Sequence, residues 1–235
     1  MDAQEFIEQL KSQRPKRASE KRSPLAADEN DVVWGVRMGQ VFALAKERLD
    51  MPLDEVEKLL ESPIHEARVG AVSMMDFQAR SKKTTPSRRK ELFDLYIRRH
   101  DRINSWDLVD RSAPYVVGGY LFDKPRKILY KLARSKDMPE RRTAIVSTGF
   151  FIRQRDVEDT FKIAELLIDD PEDLIHKATG WMLRAAGGVD RQKLLDFLDQ
   201  HAATMPRTTL RYATEHLDSK QRAHYLGLKK KNGSL

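Results

Sequence analysis

From Val32 onward, apolar residues recur at three- and four-residue steps over almost the whole chain. In DTFKIAELLID, for example, Phe161, Ala164, Leu167 and Ile168 fall on one face of a helix, the spacing of an amphipathic element with one side toward a core. No segment alternates apolar and polar positions as a half-buried strand does, so the pattern predicts an all-α fold. Ahead of Val32, MDAQEFIEQLKSQRPKR sets Phe6, Ile7 and Leu10 on one face and then gives way to a polar, charged stretch. Residues 1–29 are therefore expected to form an N-terminal arm, a short helix or partly disordered, and residues 30–235 a single helical domain.

Prolines punctuate this domain. Ser62-Pro63, Met138-Pro139, Asp170-Pro171 and Met205-Pro206 each put proline where a helix can begin, since its missing N–H costs nothing in the first turn. Asp170 with Asp173 resembles a capping arrangement, and Gly187-Gly188 a stop after WMLRAA. Pro139, Pro171 and Pro206 are 32 and 35 residues apart, and the 76 residues from Pro63 to Pro139 make two steps of 38. That period, with helix, turn and helix inside it, predicts a HEAT-like helical-repeat solenoid of about five pairs, a right-handed α-α superhelix with one concave face.

Charge adds a candidate partner. The chain has 43 basic and 36 acidic residues, a net charge of +7 and a pI near 9.5, a balance that suits an anionic partner such as nucleic acid. With no cysteine, disulfides, thiol nucleophiles and thiolate metal sites are excluded. No run reaches the ~18 apolar residues of a membrane span, and the acidic N-terminus is unlike a secretory signal, so a soluble cytoplasmic protein is expected. The six histidines form no H-E-x-x-H pair, and Gly118-Gly119 reads as punctuation rather than a phosphate loop; no metal and no cofactor is expected.

The basic residues fall in register. Arg68, Arg142, Lys177 and Arg211 lie five, three, six and five residues after their prolines, so second helices lining a concave face would carry a cationic stripe for a phosphate backbone. Solvated or ion-paired side chains are the plain alternative. Lys177, Trp181 and Arg184 share a helix face, as do Trp106 and Asp110 in INSWDLVD, whereas Asp107 sits about 100° around the helix as a structural acid. Rings beside cations hold sugars or bases in nucleic-acid grooves, although core packing accounts for many tryptophans. Asp110 within such a stripe either positions a cation by a salt bridge or serves chemistry on a developing positive charge.

Six strings in order, SPIHEAR, INSWDLVD, RRTAIVSTGFFI, DTFKIAELL, LIHKATGWMLR and MPRTTLRYATEHL, resemble the bacterial DNA alkylation repair family, the AlkD-like alkylpurine DNA glycosylases, over about residues 32–228. The resemblance implies a monofunctional glycosylase on HEAT-like repeats that excises cationic N3- and N7-alkylated purines from duplex DNA. By matching motifs it makes Asp110 the catalytic carboxylate, Trp106 and Trp181 the lesion and sugar contacts and Arg142 a phosphate contact, and it implies that the other basic residues of the concave face, Lys177, Arg184, Arg211 and Arg68, contact phosphates as well. Met138-Pro139 departs from the family, where a tryptophan commonly precedes the E-R-R string. A monomer acting on alkylated duplex DNA is expected; a non-catalytic binder of distorted or branched DNA and a protein-binding scaffold are the alternatives.

Overall fold

A computed structural model describes residues 2–16 and 31–228; Met1 and residues 17–29 of the expected arm lie outside the described residues. Among those described, the chain is all helical, apart from one isolated bridge between Val32 and Ile64. It clusters into two compact units, Met1–Tyr120 and Leu121–Leu235.

The first unit holds α1 (Ala3–Ser12), α2 (Met38–Lys46), α3 (Leu53–Glu61), α4 (His65–Arg80), α5 (Pro86–Arg98) and α6 (Trp106–Ala113). The α1 helix opens on a full capping box: Asp2 accepts from the Glu5 amide, and Glu5 reaches back to the Asp2 amide. Its Phe6 and Leu10 are fully buried against α3 and α4, and the Phe6 ring lies so close over Gly70 that a Cβ there would come within 2.5 Å. The first part of the expected arm is thus a docked helix. Its seat on α4 needs a glycine.

The hub of this unit is α4, against which α2, α3, α5 and α6 all pack. It is buried nearly all round, which is why its sequence, HEARVGAVSMMDFQAR, mixes small, apolar and polar residues rather than showing one stripe. A five-residue π-helical turn, Pro114–Gly118, follows α6, and a short α7 (Gly119–Leu121) follows the turn. Pro114 has no N–H to give the Asp110 carbonyl four residues back, so the ladder is broken there and widens. Gly118 and Gly119 therefore belong to a widened helical continuation, not a stop.

The second unit holds α8 (Lys127–Leu132), α9 (Met138–Arg153), α10 (Glu158–Leu166), α11 (Asp173–Gly187), α12 (Arg191–His201), α13 (Arg207–Ala213) and α14 (Ser219–Gly227). In chain order α3/α4 and α5/α6 of the first unit, and α8/α9, α10/α11 and α12/α13 of the second, follow one another as helix–turn–helix, the element order of a helical-repeat fold, with α3 packed on α4, α8 on α9 and α10 on α11. Within this unit the second helices lie side by side, α11 between α9 and α13.

Local details differ from the sequence reading. Pro139 does sit in the first turn of α9, and Pro206 is the N-cap of α13, but Pro171 precedes α11 by two residues. Asp170 is not the α11 cap: its carboxylate takes a two-pronged ion pair from Arg141, at 2.5 and 3.2 Å, and the Glu172 amide, stapling the loop between α10 and α11 to α9. The buried face of α10 is Thr160, Ile163, Ala164 and Leu167, while Phe161 is half-exposed beside Phe197 of α12. Gly187-Gly188 does end α11.

Gly180 sets how closely α11 and α13 approach. A Cβ there would lie 2.5 Å from the Tyr212 Cβ and 2.7 Å from the Thr209 carbonyl oxygen, the latter a backbone atom that cannot turn aside. Gly180→Ala is expected to destabilise the fold by about 1–3 kcal/mol, read as a lower urea midpoint.

Candidate functional site

The site residues read from the sequence divide between the units. In the first, Trp106 opens α6 and is 39% exposed, and Asp110 is half-buried one turn later on the same helix. The other six residues of α6 are accounted for by the interior. Leu108, Val109, Ser112 and Ala113 are fully buried. Asp107 joins the buried His65 imidazole of α4, Oδ2 to Nε2 at 2.8 Å, and accepts from the Ser105 hydroxyl at 2.6 Å. Burial pushes the Asp107 carboxyl up, but the His65 and Ser105 hydrogen bonds and the charge of His65 outweigh it and hold the group below the ordinary carboxylate value. Arg111 is gripped by α2 and α4. Asp107 is therefore the structural acid expected from its place around the helix.

Arg68, expected to contact phosphate, is instead interior. Its side chain has no exposed surface; Nη1 meets Asp31 at 2.6 Å, a carboxylate only 1% exposed, and donates to the Ser62 carbonyl at 3.2 Å. A guanidinium so enclosed has no route to a backbone phosphate without abandoning Asp31, so Arg68 is corrected to a structural role. Its neighbour Glu66, also fully buried, accepts from the amides of Trp34, Gly35 and Val36 at 3.0, 2.6 and 3.2 Å. SPIHEAR thus holds three interior polar anchors: His65 to α6, Glu66 to the segment entering α2, and Arg68 to Asp31.

The other candidates lie on neighbouring helices of the second unit. Arg142 of α9 is 4% exposed and donates to the Leu174 carbonyl at the start of α11. Lys177 of α11 pairs with Asp173 one turn earlier at 2.7 Å, a bond that raises the lysine above its ordinary value against the opposing charge of Arg142. Trp181 is half-exposed one turn further along α11. Arg184 is ion-paired with Glu215, whereas Arg211 of α13 is exposed with no acid partner among the described residues. The expected stripe is thus graded: Arg142 recessed, Lys177 and Arg184 paired but accessible, Arg211 open.

The sequence reading passed over Glu66, His65 and Arg111. His65 and Glu66 lie in SPIHEAR and Arg111 directly follows INSWDLVD, but their roles are set by partners some 30 to 40 residues away. Among the described residues no three histidine or acid side chains gather as a metal site, and no helix is long and apolar enough to cross a membrane.

Comparison with known proteins agrees with the fold. The family model for the DNA alkylation repair enzymes matches residues 6–217. The solved structure of a predicted DNA alkylation repair enzyme from Enterococcus faecalis is similar to the chain with a TM-score of 0.64 and 15% identity, over 82% of this chain and 92% of that one. At that identity the likeness concerns the fold. No curated protein is matched.

Proposed function

The chain belongs to the DNA alkylation repair enzyme family, and on that premise we propose that it is a monofunctional DNA glycosylase, hydrolysing the N-glycosidic bond of cationic N3- and N7-alkylated purines in duplex DNA. The observation that carries the reading is α6, which places an exposed aromatic ring, Trp106, and a half-buried carboxylate, Asp110, one turn apart on the same helix.

The chemistry asks little of a protein. An alkyl group at N3 or N7 gives the purine a positive charge, so it leaves without a general acid. As the C1′–N bond breaks, its electron pair goes to the base, which departs neutral, and the positive charge passes to the sugar as an oxocarbenium-like centre. Asp110 as a carboxylate stabilises that centre and orients the water whose oxygen forms the new bond to C1′; the proton released goes to solvent. Trp106 packs on the deoxyribose and lesion beside Asp110, with an attraction between ring face and cation of about 0.5–2 kcal/mol. Water, and not a lysine amine, is the nucleophile in this reading, so the strand is left uncut. The enzyme acts as a monomer on nucleoid DNA in the cytoplasm.

Phosphate contacts fall to Lys177, Arg184 and Arg211, with the recessed Arg142 adding its charge at the start of α11. The double variant Lys177→Ala/Arg211→Ala is expected to bind undamaged and methylated duplexes equally more weakly, and to reduce the slope of log affinity against log salt by roughly 2, one contact each. An unchanged slope removes both residues from the interface. The function itself is tested by incubating the protein with methylated duplex DNA and following free 7-methylguanine and 3-methyladenine. Release is expected; salt-dependent binding without release would leave a non-catalytic DNA binder.

A further inference from the structure

Arg111 follows Asp110 directly yet turns into the protein. Its guanidinium lies over the rings of both Phe42 on α2 and Phe77 on α4, 4.6 Å from each centroid. Nε donates to the Ser73 hydroxyl at 3.1 Å, and Nη2 lies 3.3 Å from Asp76 Oδ2, a carboxylate with no exposed surface. Asp76 is shared with Arg80, at 2.8 Å, and Arg80 in turn stacks at 3.9 Å on Tyr115 in the π-helical turn. One acid of α4 therefore anchors two arginines, one gripping α6 on its own residue 111 and one gripping the turn that follows.

Such an arrangement is a costly way to fill space. Taking a guanidinium and a carboxylate out of water costs several kcal/mol, and an apolar side chain of similar volume against two phenylalanine rings stabilises a fold at least as well. What the planar fork supplies is direction: its plane and fixed donors admit one orientation, where a hydrophobic plug admits several. On an eight-residue helix, with Asp107 held by His65 at the start, Arg111 completes a two-point grip that fixes rotation about the axis.

We infer that Arg111 is a positioning residue for the proposed active site, setting the rotational phase of α6 so that Trp106 and Asp110 meet the damaged nucleotide, and that it makes no DNA contact itself. The inference rests on the glycosylase reading for its kinetic consequence and on the geometry of α6 alone for its structural one.

The experiment uses Arg111→Met, which fills the slot without the fork, and Arg111→Lys, which keeps the charge without it. In single-turnover excision of 7-methylguanine, both variants are expected to lose roughly ten- to a hundredfold in rate, as a small misplacement of a reacting group does, with duplex Kd unchanged. A lysine variant at the wild-type rate would show that only the charge matters, and a methionine variant at the wild-type rate that the slot merely needs filling; either overturns the proposal while leaving Asp110 its role. A readout independent of activity is Trp106 emission in a Trp34→Phe/Trp181→Phe background, where the Arg111 variants are expected to shift the emission maximum and acrylamide quenching. If the wild-type chain releases no base, the glycosylase reading falls and emission decides alone: an unshifted spectrum overturns the positioning role.

Discussion

Asp110→Asn is expected to lower single-turnover release of 7-methylguanine by about 10²–10³-fold, some 3–4 kcal/mol of transition-state stabilisation, while binding to the same duplex stays equal or tightens. The amide has nearly the size and hydrogen-bonding reach of the acid, so packing on α6 is preserved and only the negative charge is removed. That charge has opposite consequences for two partners. Toward phosphates it is repulsive, so its loss favours binding. Toward a sugar acquiring positive charge it is attractive, so its loss slows the step in which the charge appears. A split between rate and affinity is the mark of a group that acts on the transition state. An unaltered rate would remove Asp110 from the chemistry, and an equal fall in rate and affinity would make it part of ground-state binding.

Arg68→Ala is expected to have the largest effect on stability of any substitution among the candidate residues, about 3–5 kcal/mol, because it strands the Asp31 carboxylate, 1% exposed, without its counter-ion. Against a total of about 5–15 kcal/mol for an ordinary domain, that loss leaves much of the protein unfolded at moderate urea. Arg68→Ala/Asp31→Ala, which removes both charges together, should recover a substantial part of it. Denaturant midpoints of the two variants check this. If Arg68→Ala stays as stable as wild type but binds DNA with a smaller salt slope, the arginine belongs to the phosphate surface after all.

Those two residues mark how far the sequence can be read. The helical period, the proline steps and the glycine stop are local signals, and they lead to the observed pairs because each pair is specified within its own stretch of about 35 residues. Trp106 and Asp110 could be placed together, and Asp107 apart from them, because rotation about a helix axis depends only on spacing. Arg68 and Arg211 stand five residues after their prolines and look alike in the sequence, yet one is enclosed and the other open. The difference is Asp31, 37 residues upstream of Arg68, which no periodicity points to. Arg142 is recessed for a similar reason, a carbonyl 32 residues ahead. On α10, apolar residues occupy more than one face, and the choice of Ile163 over Phe161 for the core was made by α12, whose Phe197 gives the exposed ring a neighbour.

The π-helical turn after α6 bears on how this chain is compared with its relatives. A turn closed by five residues instead of four holds one residue more than an α-helix of the same length. A relative that keeps a regular helix here would be one position shorter just past W-D-x-V-D, and an alignment that places no gap would shift every residue of the short helix beyond by about 100°, pairing outward positions with inward ones. Pro114, which denies Asp110 its usual backbone partner, is the residue by which such an insertion can be recognised in a sequence.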